Sequence, residues 1–280
     1  MTTSFKINII YRACDVVNAV NKDPRPFGFD KTTLVKICFK SLYNSIQGYN
    51  YKLIVLGDKL SAELRAFFLR FDVEIIEGDY GNDNSIREAF TIAQKFDENE
   101  WVYFCEDDYL HTPDFFKKSI TLVKENGSIK PGKIQFKIRL RKQYLNLITI
   151  PRFFTPPAIV IHPCDYPDRY TEKGLLKSFI FTTSDSHWRQ VPSTTFTFMI
   201  KCSDLKKHYK KCMRAAHRAN DQYLSAKLYG KTFFFNKLLC LSPVPSLASH
   251  MHVSTLSPMM EHNKLVEDIK KEIDVMQMHE

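Results

Sequence analysis

The stretch "VYFCEDDYLHTPDFF", Val102 to Phe116, drives an apolar run straight into three consecutive acids, Glu106, Asp107 and Asp108. Like charges about 4 Å apart repel by roughly 4 kcal/mol at an effective dielectric near 20. A chain that ends a buried strand this way needs positive charge or water beside the acids. "EWVYFC" (Glu100 to Cys105) predicts the strand, and Pro113 predicts the start of the next helix. Continued as a strand, Glu106 and Asp108 would point to one side and Asp107 to the other.

Working upstream, strand-like and helix-like segments alternate. "KINIIYR" (Lys6 to Arg12), "YKLIVLG" (Tyr51 to Gly57) and "VEIIEG" (Val73 to Gly78) are short apolar strands. Between them, Lys31 to Ile46 carries Leu34, Ile37, Cys38, Ser41 and Leu42 on one helical face. Ser61 to Phe71 begins with a capping serine, and Asp83 to Phe96 reads as a third helix. Alternation of this kind predicts a parallel sheet covered by helices, with ligands beyond the carboxyl ends of the strands. The three acids stand at that end of the fourth strand.

Downstream the pattern changes. "GKIQFKIRL", "PAIVIHP" and Ser193 to Lys201 read as strands, rich in β-branched and aromatic residues. Two helices follow, with Ser203 and Asn220 as N-cap candidates. "KLLCLSPVPSLASHMHVS" is a strand that dissolves into a Pro-rich segment holding His250 and His252. A last helix sets Leu265, Ile269, Ile273 and Met276 on one stripe, suited to packing back on the domain. The expectation is one α/β domain over residues 1–255, with a mixed central sheet and helices on both faces. Residues 1–125 and 126–255 form its two halves, and 256–280 form a C-terminal amphipathic helix.

With 280 residues and 44% hydrophobic content, the chain can bury a large core and is not disordered as a whole. Its net charge of +9 suits an anionic partner and leaves peripheral contact with a membrane surface open. The basic runs Lys137 to Lys142, Lys206 to Lys211 and Arg214 to Arg218 read equally well as solvated faces. Seven scattered cysteines with no metal-like spacing fit a reducing compartment, and Cys38 and Cys105 sit in core-like runs. The N-terminus lacks an apolar signal segment, and no stretch is long enough to span a bilayer. A cytoplasmic protein is expected.

Clustered carboxylates at a strand end suit a hard divalent cation, Mn²⁺ or Mg²⁺, which binds one or two carboxylates plus substrate phosphates. A solvated turn is the plainer alternative. Arg12, Asp58, Asn84 and Arg87 stand at strand ends or at the start of the third helix, within reach of a nucleotide. Glu106 and Asp107 complete the donor side. Asp185 in "TSDSHWRQVPS" is a candidate base, and His187 and Trp188 beside it are acceptor candidates, because an aromatic face can stack on a sugar ring.

The element order, with "CEDDYLHTPDFF" after the fourth strand, resembles nucleotide-sugar-dependent glycosyltransferases of the GT-A fold. "KSLYNSI" is similar to their first-helix "SLLNQ" segment, and "LIVLGDKLS" to their "IIVVDDGS" strand, with Asp58 on the second acid. "EDD" followed by "PDFF" resembles the N-acetylglucosaminyltransferase I type. The resemblance implies that residues 1–125 are the nucleotide-sugar-binding half and 126–255 the acceptor-binding half, that Asp108 holds the metal, that Glu106 faces the donor, and that His250 or His252 completes the metal site. It also implies that Asp221, in "RANDQYLSAKL", is the base of an inverting transfer; alternatively Asn220 caps that helix and Asp221 only favours its dipole. An acid at Cys105 would be needed for the usual DxD, and the first strand reads "IIYRACD" in place of "IIPTYN", so the donor sugar stays open.

The implied activity is metal-dependent sugar transfer from a nucleotide-sugar donor to a glycan or lipid-linked acceptor, as in polysaccharide biosynthesis. A nucleotidyltransferase uses similar parts, but "YRACDVVNAVNKDPRPFG" lacks the Gly-rich loop common there. A non-catalytic nucleic-acid-binding protein would leave the acids unexplained, and no nucleic-acid motif is present.

Overall fold

The structure, a computed structural model, describes residues 5–15, 23–125, 133–140, 143–151, 158–171, 179–229 and 238–278. Four strands, β1 (Lys6–Ala13), β2 (Asn50–Asp58), β3 (Glu74–Gly78) and β4 (Trp101–Glu106), lie parallel in the order β3-β2-β1-β4. The sheet continues from β4 through β11 (Phe198–Lys201), β8 (Ile159–Ile161), β12 (Leu239–Val244), β10 (His187–Gln190) and β9 (Ile180–Thr182). β11 runs antiparallel to both neighbours, β8 and β12 are parallel, and β10 is antiparallel on both sides. The sheet is therefore mixed, as expected, with its four-strand parallel run made by the alternating first half.

Period-two alternation divides the core into two layers. Ile7, Ile9 and Tyr11 of β1 and Tyr103 and Cys105 of β4 face one layer, while Ile10, Val102 and Phe104 face the other. The first layer is covered by α1 (Lys31–Ile46), α2 (Ala62–Phe68), α4 (Phe115–Glu125) and α8 (His262–Met278). The second is covered by α3 (Gly81–Ala93), α6 (Cys202–Ala215) and α7 (Asp221–Leu228). Cys38 and Cys105 are both fully buried.

The helix ends follow from local chemistry. Asp30 caps α1 by accepting from Thr33 N at 2.8 Å, Ser61 caps α2, and Asn220 caps α7 by accepting from Tyr223 N. Ser203 is not a cap. Carbonyls of the Glu98–Glu100 turn receive the Ser203 and Cys202 amides at 3.1 and 2.9 Å, so α6 starts earlier and Ser203 lies inside it. In α8, Val266, Ile269 and Ile273 are buried against the domain, and Lys40 of α1 pairs with Glu272 at 2.6 Å.

Two short ladders stand outside the main sheet. β6 (Lys133–Leu140) and β7 (Gln143–Pro151) form an antiparallel hairpin; Arg141 and Lys142 of the first basic run lie outside the described residues. β5 (Tyr109–His111) pairs antiparallel with β13 (Ala248–His250), placing His250 opposite Tyr109. α5 (Asp168–Thr171) is a single turn. No helix among the described residues is long and apolar enough to cross a membrane.

Candidate active site

The chain runs β1, β2, β3 in one direction and then returns to place β4 on the other side of β1. Such a switch opens a crevice beyond the carboxyl ends of the two central strands. A cavity of about 440 Å³ lies there, lined by Arg12, Asp58, Asp108 and Asp221 among others.

Each of the three acids meets its own basic partner. Arg12, opposite Glu106 in the β1–β4 register, holds that carboxylate at 2.8 Å through Nη2 and Ser85 Oγ at 2.9 Å through Nη1. Lys31, the first residue of α1, pairs with Asp107 Oδ1, while Asp107 Oδ2 accepts the Cys14 amide at 2.9 Å. Asp108 Oδ2 lies 3.3 Å from Nε2 of both His250 and His252. The repulsion within the run is thus offset pair by pair. β4 ends at Glu106 and the chain turns at Asp107 and Asp108, so the acids do not alternate along a continued strand.

The electrostatics follow from these pairings. Burial lifts Glu106 above the ordinary carboxylate range, with Arg12 opposing and Asp108 reinforcing it. Burial would also lift Asp108, but the charge on His250 and hydrogen bonds from both histidines outweigh it and hold that carboxyl well below its usual range. Burial works against the Lys31 ammonium, yet Asp107 and Asp108 raise its pKa. Burial raises the Asp221 carboxyl, and backbone N–H donors at the start of α7 oppose that only in part.

Asp108, His250 and His252 bring one ligand atom each within 4.8 Å of the others. The β5–β13 ladder creates this meeting, with Met251 N donating to Asp108 O at 2.8 Å. Tyr109 stacks on His250 with ring centroids 4.7 Å apart and planes 6° apart. Asp108 Oδ1 is buried without a hydrogen-bond partner, and the side chain keeps 18% exposure. An unpartnered carboxylate oxygen beside two imidazoles is a donor set that a divalent cation fits. Two nitrogens among three ligands suit Mn²⁺ better than Mg²⁺, which prefers oxygen throughout.

Of the residues singled out in the sequence, Arg12, Asp58, Glu106, Asp107, Asp108, Asp221, His250 and His252 line this cavity. Asp58 spends Oδ1 on the Tyr80 amide at 2.8 Å. Asn84 and Arg87 do not line it: α3 begins at Gly81, two residues before the expected Asp83, and this phase brings Asn82 and Ser85 to the cavity instead. Asn84 Nδ2 donates to Tyr80 O.

Asp185, His187 and Trp188 also lie elsewhere. They belong to the β9–β10 hairpin, four strand spacings or roughly 19 Å from β4. Trp188 is 0% exposed and donates from Nε1 to Thr183 Oγ1 at 3.2 Å, so its faces stack on core residues and not on a sugar. Asp185 accepts from Thr183 Oγ1 within the hairpin turn. A lone Trp in a polar stretch signalled a surface platform, but strand alternation turns it inward.

Arg25 and Lys31 line the cavity as well, and the sequence pattern did not single them out. Arg25 makes no ion pair with an acid among the described residues. Its one sequence signal is a cation clamped between Pro24 and Pro26 just ahead of the first helix.

No protein-family model matches the chain, and no curated protein sequence does. Among solved structures it is similar to S. aureus TarS 1–349, at 8% identity and a TM-score of 0.46, covering 85% of this chain and 60% of that one. It is also similar to galactosyltransferase LgtC in complex with donor and acceptor sugar analogs, at 9% identity and a TM-score of 0.40, covering 83% and 72%. A third is 4-diphosphocytidyl-2C-methyl-D-erythritol synthase from Anaerococcus prevotii, at 12% identity and a TM-score of 0.42, covering 97% and 96%. All three of these TM-scores are below 0.5.

Proposed function

We propose that this protein is a metal-dependent glycosyltransferase that moves a sugar from a nucleotide-sugar donor to a hydroxyl of a glycan or lipid-linked acceptor, with inversion. The observation that carries the proposal is the Asp108–His250–His252 cluster, with its unpartnered Asp108 oxygen, sharing one crevice with Arg25, Lys31 and Asp221. The four-strand parallel order, with the acid run at the carboxyl end of β4, supports it.

Asp108, His250 and His252 would hold the cation. When bound, a divalent cation stabilises the charge that develops on the departing diphosphate. Arg25 adds a guanidinium free of acidic partners among the described residues, suited to a phosphate oxygen. Glu106 and Asp107 act mainly by fixing Arg12 and Lys31 in place. Asp58 faces the donor's nucleoside from the end of β2. Asp221 takes the proton of the acceptor hydroxyl as that oxygen forms its bond to the anomeric carbon and the carbon–diphosphate bond breaks. A burial-raised carboxyl pKa makes Asp221 a stronger base than an exposed aspartate.

The test is a screen of nucleotide sugars with Mn²⁺ for donor hydrolysis and thermal stabilisation, alongside nucleoside triphosphates with sugar phosphates. Turnover of a nucleotide sugar, lost in Asp108→Ala, is expected. Pyrophosphate release from a triphosphate, with no nucleotide sugar consumed, would assign a nucleotidyltransferase instead.

A further inference from the structure

We propose that Asp23, remote from the acid run in sequence, is a positioning residue that latches the Arg25 strap onto the histidine loop and orients His252 for the cation. The inference rests on the metal reading above. Asp23 reaches the loop through both of its acceptors. Its carboxylate Oδ2 accepts the Ser254 amide at 2.9 Å and the Ser254 hydroxyl. Its backbone carbonyl lies 3.4 Å from His252 Nδ1. One residue on, Pro24 O accepts the Val253 amide at 3.0 Å.

The geometry gives this latch two consequences. An imidazole whose Nδ1 is turned to a backbone carbonyl is left with Nε2 as the ring atom that can meet a metal. His252 Nε2 is the atom that faces Asp108. The same tether fixes the strap that carries Arg25, where two prolines lock the backbone on either side. The strap's far end is held separately, with Lys270 Nζ 5.4 Å from the centre of the Phe29 ring and Asp30 capping α1. Asp23 therefore joins the metal side of the cavity to its cationic side.

Calorimetric titration of the full chain with Mn²⁺ alone tests this, with the metal-free melting temperature recorded for every variant. Asp23→Ala is expected to weaken Mn²⁺ binding about tenfold, the lower end of the effect of losing an outer-shell partner. Ser254→Ala should weaken it in the same direction. The double variant should be no worse than Asp23→Ala, because both changes break one connection. Asp23→Asn keeps an accepting oxygen and the backbone carbonyl, so it should bind nearly as the wild type does. Wild-type affinity in both Asp23→Ala and Ser254→Ala, with Asp108→Ala silent, would overturn the latch and leave the metal site standing. A fall in melting temperature in these variants with Mn²⁺ affinity unchanged would overturn the latch in the same way. A wild-type protein that takes up no Mn²⁺ overturns the metal site and the latch together.

Discussion

The two carboxylate oxygens of Asp108 have opposite surroundings. One oxygen sits against two imidazoles, and the other is buried with nothing to accept from. A protein holding its cation at 100 times the dissociation constant gains about 2.7 kcal/mol of stability. Asp108→Ala should lose that gain, read as a melting temperature that no longer responds to Mn²⁺ or to donor. In the proposed transfer, Asp221 belongs to a different step. Asp221→Asn keeps the shape of the residue and should lower kcat by about 10²- to 10⁴-fold, as loss of a general base does, while Mn²⁺ affinity stays at the wild-type value. A steady-state assay paired with a metal titration separates the two residues. A kcat within twofold of wild type would leave Asp221 as a helix-end acid only.

At the scale of the elements, α1 is where fold and site meet. Asp30 caps it from one residue before Lys31, and Lys31 then reaches Asp107. Asp30→Ala should cost about 1 kcal/mol of stability, the usual loss for a cap, measured by urea denaturation. Ile269→Ala in α8 should cost about 2–5 kcal/mol, because that side chain is 3% exposed in the core layer beneath the helix. A smaller loss would mean that α8 is loosely docked. The boundaries of α1 were legible to the residue, since a strong apolar face begins just after a capping aspartate. The four parallel strands were legible for a similar reason, being continuous apolar runs of ordinary length. β5 was not. Tyr109 to His111 is three residues long, and its strand character comes from pairing with β13, a partner far along the chain. Without that ladder the sequence could offer both histidines as metal ligands but could not say what brings them to Asp108. The β9–β10 hairpin misled for the opposite reason, because its polar turn residues conceal an inward-facing Trp188.

For the whole molecule, acid should be the weak side. His111 and His162 are buried, and burial lowers their pKa values to about 3 and about 4 from an ordinary 6.5. His111 bonds Tyr103 Oη at 2.8 Å, and His162 Nδ1 lies 3.0 Å from Thr197 O. Above pH 6.5 both states are neutral at these positions, and stability is unaffected. Between pH 6.5 and 4 the unfolded chain binds protons that the folded chain refuses, so stability falls as pH falls. With both groups titrating, the slope approaches about 2.7 kcal/mol per pH unit. Urea midpoints at pH 7.5, 6 and 5 read this directly, and equal midpoints would show that the two rings are not buried neutral.

The β5–β13 ladder also bears on how the protein is made. Asp108 and His252 are 144 residues apart in sequence, and every ligand of the proposed centre but one comes from β13 and the turn just after it, so the imidazoles are made long after the carboxylate. A nascent chain halted anywhere before His250 owns a carboxylate but no imidazole partner for it. Uptake of manganese would then wait until His252 has been made, and copies terminated before it would stay inert toward sugar nucleotides.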